Sequence, residues 1–336
     1  MNKTVISFFE VNTKEKNYLK KKFDKTFDIR FHDEVLNNSN KDLVVDSDII
    51  SPFIYSVISK EVITRAKKLK LIAARSTGYN HIDVKFADKK KISVANVPFY
   101  GENTVAEHTF ALILALSRNI HKAYVRTIRN DFSLSGLQGF DLKNKTIGII
   151  GAGSIGIHVI KMAKGFGMKV IAFDINHNHL LTEILDFKYV TLNELLKNAD
   201  IISLHSPFNS QTRNMINMEN INLVKKGALF INTARSGIIE PKALYYAIEN
   251  EIFGGAGLDV FEGEDLMNEE NQMLTKNVSV DHLEAILKRN ILLRKENVII
   301  TPHMAFDSVE AVERILDTTV ENIKCYLAGK SYYKVK

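Results

Sequence analysis

The 336-residue sequence has a single cysteine, Cys325, so no intramolecular disulfide can form. A chain of that kind fits a reducing compartment. No stretch approaches the roughly 18 apolar residues that a membrane helix needs, so no membrane association is expected. The N-terminus, MNKTVISFFEVNTKEK, has one short apolar run and then charges. It lacks the apolar core and small-residue cleavage site of a secretory signal, and a cytoplasmic protein is expected. There is no low-complexity segment and no short-period repeat. The lysines are scattered and seldom interleaved with aromatics, so the formal net charge of +6 reads as a solvated surface and no nucleic-acid partner is expected. His177 and His179 form an isolated H-x-H without a cysteine or carboxylate at ligand spacing, so no metal site is expected either.

What remains is length and rhythm. The chain is too long for one ordinary core, which implies two domains. In the first hundred residues strands are expected at 4–10, 28–32, 71–75 and 92–95, with helices at 15–23, 60–69 and around 84–90. A second series starts near Lys145, with strands at 146–150, 169–174, 187–190, 200–205, 228–232, 255–260 and 298–301. Strands alternating with helices argue for an α/β fold of parallel sheets covered on both faces, and six or seven strands make a full doubly wound sheet. Between the two series, residues 103–116 (NTVAEHTFALILAL) form a helix apolar enough to be buried between domains or subunits. Residues 265–297 interrupt the second series; they are polar at first, carry a helix near 282–288, and read as an insertion close to the active site.

Gly151-Ala152-Gly153-Ser154-Ile155-Gly156 follows the strand at 146–150 and opens a helix. A lone G-x-G-x-x-G is a weak signal, but the context is that of a dinucleotide site. The first glycine permits the tight turn, the second lets backbone approach a pyrophosphate, and the third packs helix on strand. The helix N-terminus offers free N–H groups to the phosphates. Asp174 ends the next strand. A carboxylate there accepts hydrogen bonds from ribose hydroxyls and repels a 2′-phosphate, so NAD is expected over NADP.

Three further residues follow strand ends, where an open α/β sheet places its chemistry. Arg235 follows 228–232, Glu264 follows 255–260, and His303 follows 298–301. A guanidinium forks onto a carboxylate and a keto oxygen. A histidine donates a proton and takes it back, and a carboxylate beside it orients the ring and stabilises the imidazolium. These are the groups that hydride transfer to a 2-keto acid requires. His205 also ends a strand, where packing and cofactor contact compete evenly. Glu107 and His108 lie in the apolar helix and read as hydrogen-bonding residues near a hinge.

With these motifs the chain resembles the D-isomer-specific 2-hydroxyacid dehydrogenases, and within that family its D-lactate dehydrogenase branch, over nearly its whole length. The resemblance is carried by Arg75 through Asp83, Val97 through Tyr100, Asn103 through His108 and the glycine motif, then by Leu204 through Pro207, Asn232 through Arg235, Asp259 through Glu264 and Thr301 through Phe306. It implies a Rossmann NAD domain at 101–301 and a flavodoxin-like substrate domain made of 1–100 and 302–336, with the cleft between them. Arg235, Glu264 and His303 would be the substrate arginine, the acid partner and the proton donor. The N–H groups of Thr77 and Gly78 would receive the substrate carboxylate, and Tyr100 would line the substrate site; Phe53 and Phe99 are further candidates for the substrate side chain. Ser154, Ile155, Asp174, Ser206, Pro207, Thr212, Thr233, Ala234 and Asp259 align with NAD contacts, Asp259 meeting the nicotinamide amide. The resemblance also implies a homodimer, joined through the NAD domain and the helix at 103–116.

The expected activity is NAD-dependent reduction of a small 2-keto acid, pyruvate first, to the D-2-hydroxy acid, and the reverse oxidation. The alternatives are reduction of glyoxylate, hydroxypyruvate or 2-ketoisocaproate, or a non-catalytic NAD-sensing protein of the corepressor kind. The latter usually carries added tails, whereas this chain ends soon after its last expected helix. Within the fold, a formate dehydrogenase would carry Gln at the Glu264 position, and a phosphoglycerate dehydrogenase commonly has an additional C-terminal domain.

Overall fold

A computed structural model describes residues 3–261 and 290–335. The chain divides into two compact units, Met1–Tyr100 with Ser308–Lys336, and Gly101–Asp307. The second crossing therefore lies beyond the expected return at 302. Asp259 accounts for the shift. Its backbone carbonyl accepts the His303 N–H and its carboxylate accepts the N–H groups of Met304 and Ala305, so these residues stay with the second unit.

Unit 1 is built on five parallel strands, β1 (Thr4–Phe8), β2 (Phe27–Phe31), β3 (Ile49–Ser51), β4 (Leu71–Ala73) and β5 (Ser93–Ala95), in the order β2-β1-β3-β4-β5. This is the flavodoxin-like order, reversing direction between β1 and β3. Its helices are α1 (Thr13–Lys22), α2 (Lys60–Arg65) and α3 (Val84–Lys89), joined by the final helix, Val309–Leu327. Ile49 and Leu71 pack into one cluster with Leu19, Leu316, Val320 and Ile323. The next residues, Ile50 and Ile72, enter the other with Leu36, Val62 and Ile92. Alternate residues thus bury both faces, as a helix-covered parallel sheet requires. α1 starts on a capping box in which Asn12 and Glu15 satisfy each other's backbone N–H groups. The strand β3 was not expected. Its three residues are too few to show a period, and only pairing with β1 and β4 makes them a strand.

The described residues of unit 2 form seven parallel strands, β6 (Thr146–Ile150), β7 (Lys169–Phe173), β8 (Lys188–Tyr189), β9 (Ile201–Leu204), β10 (Ala228–Asn232), β11 (Phe253–Leu258) and β12 (Val298–Ile300). Their order is β12-β11-β10-β9-β6-β7-β8, a Rossmann sheet with one more strand at its edge, reversing between β6 and β9. The helices described are α4 (Glu102–Ser117), α5 (Ile120–Thr127), α6 (Ser154–Gly165), α7 (His179–Leu185), α8 (Leu192–Asn198) and α9 (Pro241–Glu249), which makes Val309–Leu327 α10.

The helix expected between domains or subunits, α4, buries Ala106, Phe110, Leu112, Ile113 and Leu116 within its own unit. It lies so close to β11 that a Cβ on Gly257 would come 3.0 Å from the Leu112 Cβ, which explains that glycine. α5 was not expected; its apolar residues Ile120, Tyr124 and Val125 are exposed, so no buried face announces it. The helix expected near 282–288 lies outside the described residues.

Candidate active site

In unit 2 the exit loops of β6 and β9 meet at the reversal of the sheet. Gly151 has φ +97°, and a Cβ there would lie 2.6 Å from the Ser206 N. A Cβ on Gly156 would collide with the Gly151 carbonyl oxygen. The protein's own packing therefore demands both glycines. Gly153 is different. Its φ is −74°, and a Cβ would meet nothing within 4 Å. Nothing among the described residues requires glycine there, as expected where the backbone must admit a ligand. Gly153 is also the N-cap of α6 and supplies no side-chain cap, so the helix starts with uncapped N–H donors beginning at Ser154 and Ile155.

Asp174, just past β7, accepts the Ala152 N–H at 2.7 Å on one oxygen and the Asn176 N–H at 2.8 Å on the other. These bonds fix the carboxylate over the glycine loop. Each oxygen keeps a second lone pair for a hydroxyl donor. His177 stacks on Tyr189 with ring centroids 4.2 Å apart, and no cluster of metal-ligating side chains occurs among the described residues. After β9, Thr212 donates to the Pro207 carbonyl at 2.6 Å and accepts the Asn209 N–H, closing the loop that follows Ser206 and Pro207. His205 shares a 2.8 Å hydrogen bond with Ser203, and its Nδ1 is buried without a partner among the described residues. Burial pushes its pKa down to about 3, so the ring is neutral.

At the other end of the sheet, Arg235 and His303 occupy the exit loops of β10 and β12, the two strands flanking β11. The Asn232 side chain brackets the first loop, donating to the Arg235 carbonyl and accepting the Ala234 N–H, both at 3.0 Å. Thr233 bonds to Thr109 of α4 at 3.0 Å. Asn232, expected only as part of a motif, is through these two bonds the brace of the Arg235 turn. Arg235 Nη1 donates to the Ala234 carbonyl at 2.7 Å, and the residue is half-buried.

His303 has φ +51°, left-handed backbone that a histidine seldom adopts. Asp259 makes it possible. Besides the bonds to residues 303–305, its carboxylate accepts the Thr301 hydroxyl at 2.5 Å. Thr301 in turn bonds to His108 Nε2 at 3.1 Å, which places His108 in the same network. Asp259 is fully buried. These bonds tie the Asp259 carboxylate to the His303 loop, Oδ1 accepting two of them and Oδ2 one. Glu264 lies outside the described residues.

Thr77, Gly78 and Tyr100 belong to unit 1. The loop after β4 uses all three of its carbonyls: Val97 N–H bonds to Ser76, Asn96 Nδ2 to Thr77 and the Ser76 hydroxyl to Gly78. Neither the Thr77 N–H nor the Gly78 N–H has a partner among the described residues. A loop with its acceptors satisfied and two donors free is suited to an anion. The Tyr100 carbonyl accepts from Arg314 of α10.

Residues 110–305 match the family model described as D-isomer specific 2-hydroxyacid dehydrogenase, NAD binding domain. This chain belongs to the D-isomer specific 2-hydroxyacid dehydrogenase family. It is 36% identical over 310 residues to a 2-hydroxyacid dehydrogenase homolog of Haemophilus influenzae, covering 90% of each chain. It is 34% identical over 308 residues to the D-lactate dehydrogenase of Escherichia coli, covering 91% of each. Its structure is similar to that of the Aquifex aeolicus D-lactate dehydrogenase complexed with NAD and lactic acid, with a TM-score of 0.87, 35% identity and 96% of each chain covered. As a member of this family the protein is an NAD-dependent 2-hydroxyacid dehydrogenase with two parallel α/β sheets. The open space at Gly153, the uncapped start of α6 and the fixed Asp174 carboxylate fit NAD. No helix among the described residues is long and apolar enough to cross a membrane.

Proposed function

We propose that this dehydrogenase interconverts pyruvate and D-lactate. The observation that carries the reading is the framing of Arg235 and His303 on the exit loops of β10 and β12, each braced by a buried polar side chain, Asn232 and Asp259. When bound, the nicotinamide cofactor would supply the hydride as NADH in reduction and take it up as NAD+ in oxidation. Arg235 holds the substrate carboxylate and keto oxygen by its fork of donors. His303 gives the carbonyl oxygen its proton in reduction and removes it in oxidation, with Glu264 as the acid that orients the imidazole. The free N–H groups of Thr77 and Gly78 receive the carboxylate, and Tyr100 lines the substrate side. Ser154, Ile155, Asp174, Ser206, Pro207, Ala234 and Asp259 are assigned to NAD; Thr212 and Thr233 contribute to that side through loops their hydroxyls hold in place. Pyruvate is preferred as the substrate because the relatives include D-lactate dehydrogenases.

We further propose a cytoplasmic homodimer. It would form through unit 2, where Ile120, Tyr124, Ile128, Phe132 and Leu134 expose apolar surface over one short stretch. The decisive experiment is turnover with NADH over glyoxylate, hydroxypyruvate, pyruvate, 2-ketoisocaproate and phenylpyruvate, with chiral analysis of the product. Highest kcat/KM for pyruvate and D-lactate as product are expected. L-lactate would refute the stereochemical reading, a better substrate would replace pyruvate, and NADH binding without turnover of any keto acid would favour the sensing protein.

A further inference from the structure

The sheet of unit 1 reverses between β1 and β3, and the carboxyl end of that junction is where an open α/β sheet ordinarily receives a ligand. Here the protein fills the junction with its own charge. Glu10, two residues past β1, has φ +56°. One carboxylate oxygen accepts the Phe53 N–H at 3.2 Å, the Ser56 N–H at 2.9 Å and the Ser56 hydroxyl at 2.5 Å. The other accepts the Tyr55 N–H at 3.0 Å. The whole exit loop of β3 is thus threaded onto one side chain. Arg75, just past β4, is 1% exposed. Its backbone N–H bonds to the Pro52 carbonyl at 3.0 Å, and its Nη2 donates to the carbonyls of Phe9 and Glu10. Its guanidinium lies 5.3 Å from the centroid of the Phe53 ring, and Glu15 lies 3.9 Å from Nη1. Burial pulls the Arg75 pKa down from its ordinary value, and Glu15 and Glu10 push it back up.

A buried arginine is a poor device for stability alone, because desolvation offsets much of what its partners return. It is a good device for fixing geometry, since a planar fork and a stacked ring tolerate little displacement. Arg75 also leads directly into Ser76-Thr77-Gly78, the loop with the free N–H donors. One cluster therefore fixes the exit loops of both β3 and β4.

We propose that Glu10 and Arg75 are positioning residues that set the β3 and β4 exit loops and, through Phe53, decide which 2-keto acid side chains the enzyme accepts. The inference rests on the proposed 2-keto acid reductase activity. Glu10→Gln keeps the shape but replaces one acceptor oxygen by an NH2 group facing backbone donors. Arg75→Lys keeps the charge but loses the fork and the stacking. The test compares both with the wild type by hydrogen exchange of residues 53–56 and by kcat/KM for 2-ketoisocaproate and for pyruvate, with NADH binding measured alongside. In each variant exchange of the loop amides should quicken at least tenfold. The 2-ketoisocaproate-to-pyruvate ratio should change at least tenfold, mainly through KM, and NADH affinity should change less than twofold. Glu10→Asp, which keeps the charge, should restore part of both effects.

A purely structural role would lower the active fraction for every substrate alike and leave the ratio unmoved. A ratio within twofold of wild type in folded Glu10→Gln and Arg75→Lys overturns the inference, and so does unchanged loop exchange. If both variants fail to fold, Ser56→Ala decides. It removes one of the four bonds to Glu10 without touching a charge; a smaller change in the same direction supports the inference, and no change in exchange or ratio overturns it. A wild type that turns over neither keto acid overturns the functional reading first, and the inference with it.

Discussion

The two sheets reverse direction in the same way and use the reversal oppositely. In unit 2 the junction between β6 and β9 is kept bare: Gly153 has open space beside it and α6 begins without a side-chain cap. In unit 1 the junction between β1 and β3 is closed by the Glu10 carboxylate, which takes backbone donors that a ligand anion would otherwise take. The free donors of that unit lie one strand further along, at Thr77 and Gly78. Topology thus marks where backbone donors converge, and the side chains present decide whether the chain or a ligand satisfies them.

Several changes would break or sharpen this contrast. The largest effect is expected from His303→Ala, which removes the proposed proton donor from the bare-junction unit. Reduction kcat should fall by about 10²–10⁴-fold while NADH binding is nearly unchanged. Steady-state assays with a fluorescence titration check both, and a loss of less than tenfold would remove His303 from the chemistry.

Next come the two glycines. Gly151→Ala forces a Cβ into left-handed backbone and against Ser206; the strain alone should cost about 1–3 kcal/mol of stability. Gly153→Ala should leave the free protein's stability within about 0.5 kcal/mol, yet raise the NADH Kd about tenfold, or about 1.4 kcal/mol. Melting curves with and without NADH separate the two. Equal stability losses would show that Gly153 is needed for packing after all.

Asp174→Ala should weaken NADH by about 1.5–3 kcal/mol, the usual worth of a hydrogen bond to a charged group. It should leave NADPH less affected, so that the ratio of kcat/KM for the two cofactors narrows. An unchanged ratio would mean that the carboxylate serves only the Ala152 and Asn176 N–H groups.

The last effect concerns His205 and appears only in acid. Its folded pKa, about 3, lies below the ordinary 6.5, so the unfolded chain binds the extra proton. The stability it contributes is full above pH 6.5 and is lost as pH falls from there toward 3, at no more than about 1.4 kcal/mol per pH unit for one proton. His205→Gln should flatten that acid limb in melting temperatures measured from pH 7 to pH 4. An identical limb in the variant would place the titrating group elsewhere.

Much of unit 2 was legible because its signals are local. β6 and β10 fall at their expected bounds, and the glycine motif names its own strand, turn and helix. Arg235 and His303 were singled out because chemistry in such a sheet follows strand ends, and they sit in the exit loops of β10 and β12. β3 and α5 were missed for opposite reasons: β3 is too short to carry a period, and α5 exposes the apolar residues that should have marked its buried face.

The sequence by itself determined the α/β class and the NAD fingerprint, because each depends on neighbours a few positions apart. Only the tertiary structure decided which groups hold the site residues in place. Asp259 to residues 301–305, His108 to Thr301, Thr109 to Thr233 and Glu10 to residues 53–56 are bonds between segments far apart in the chain. No periodicity records them. They exist because burying a polar group without a partner is costly, and the partner is whatever the folded chain brings within reach.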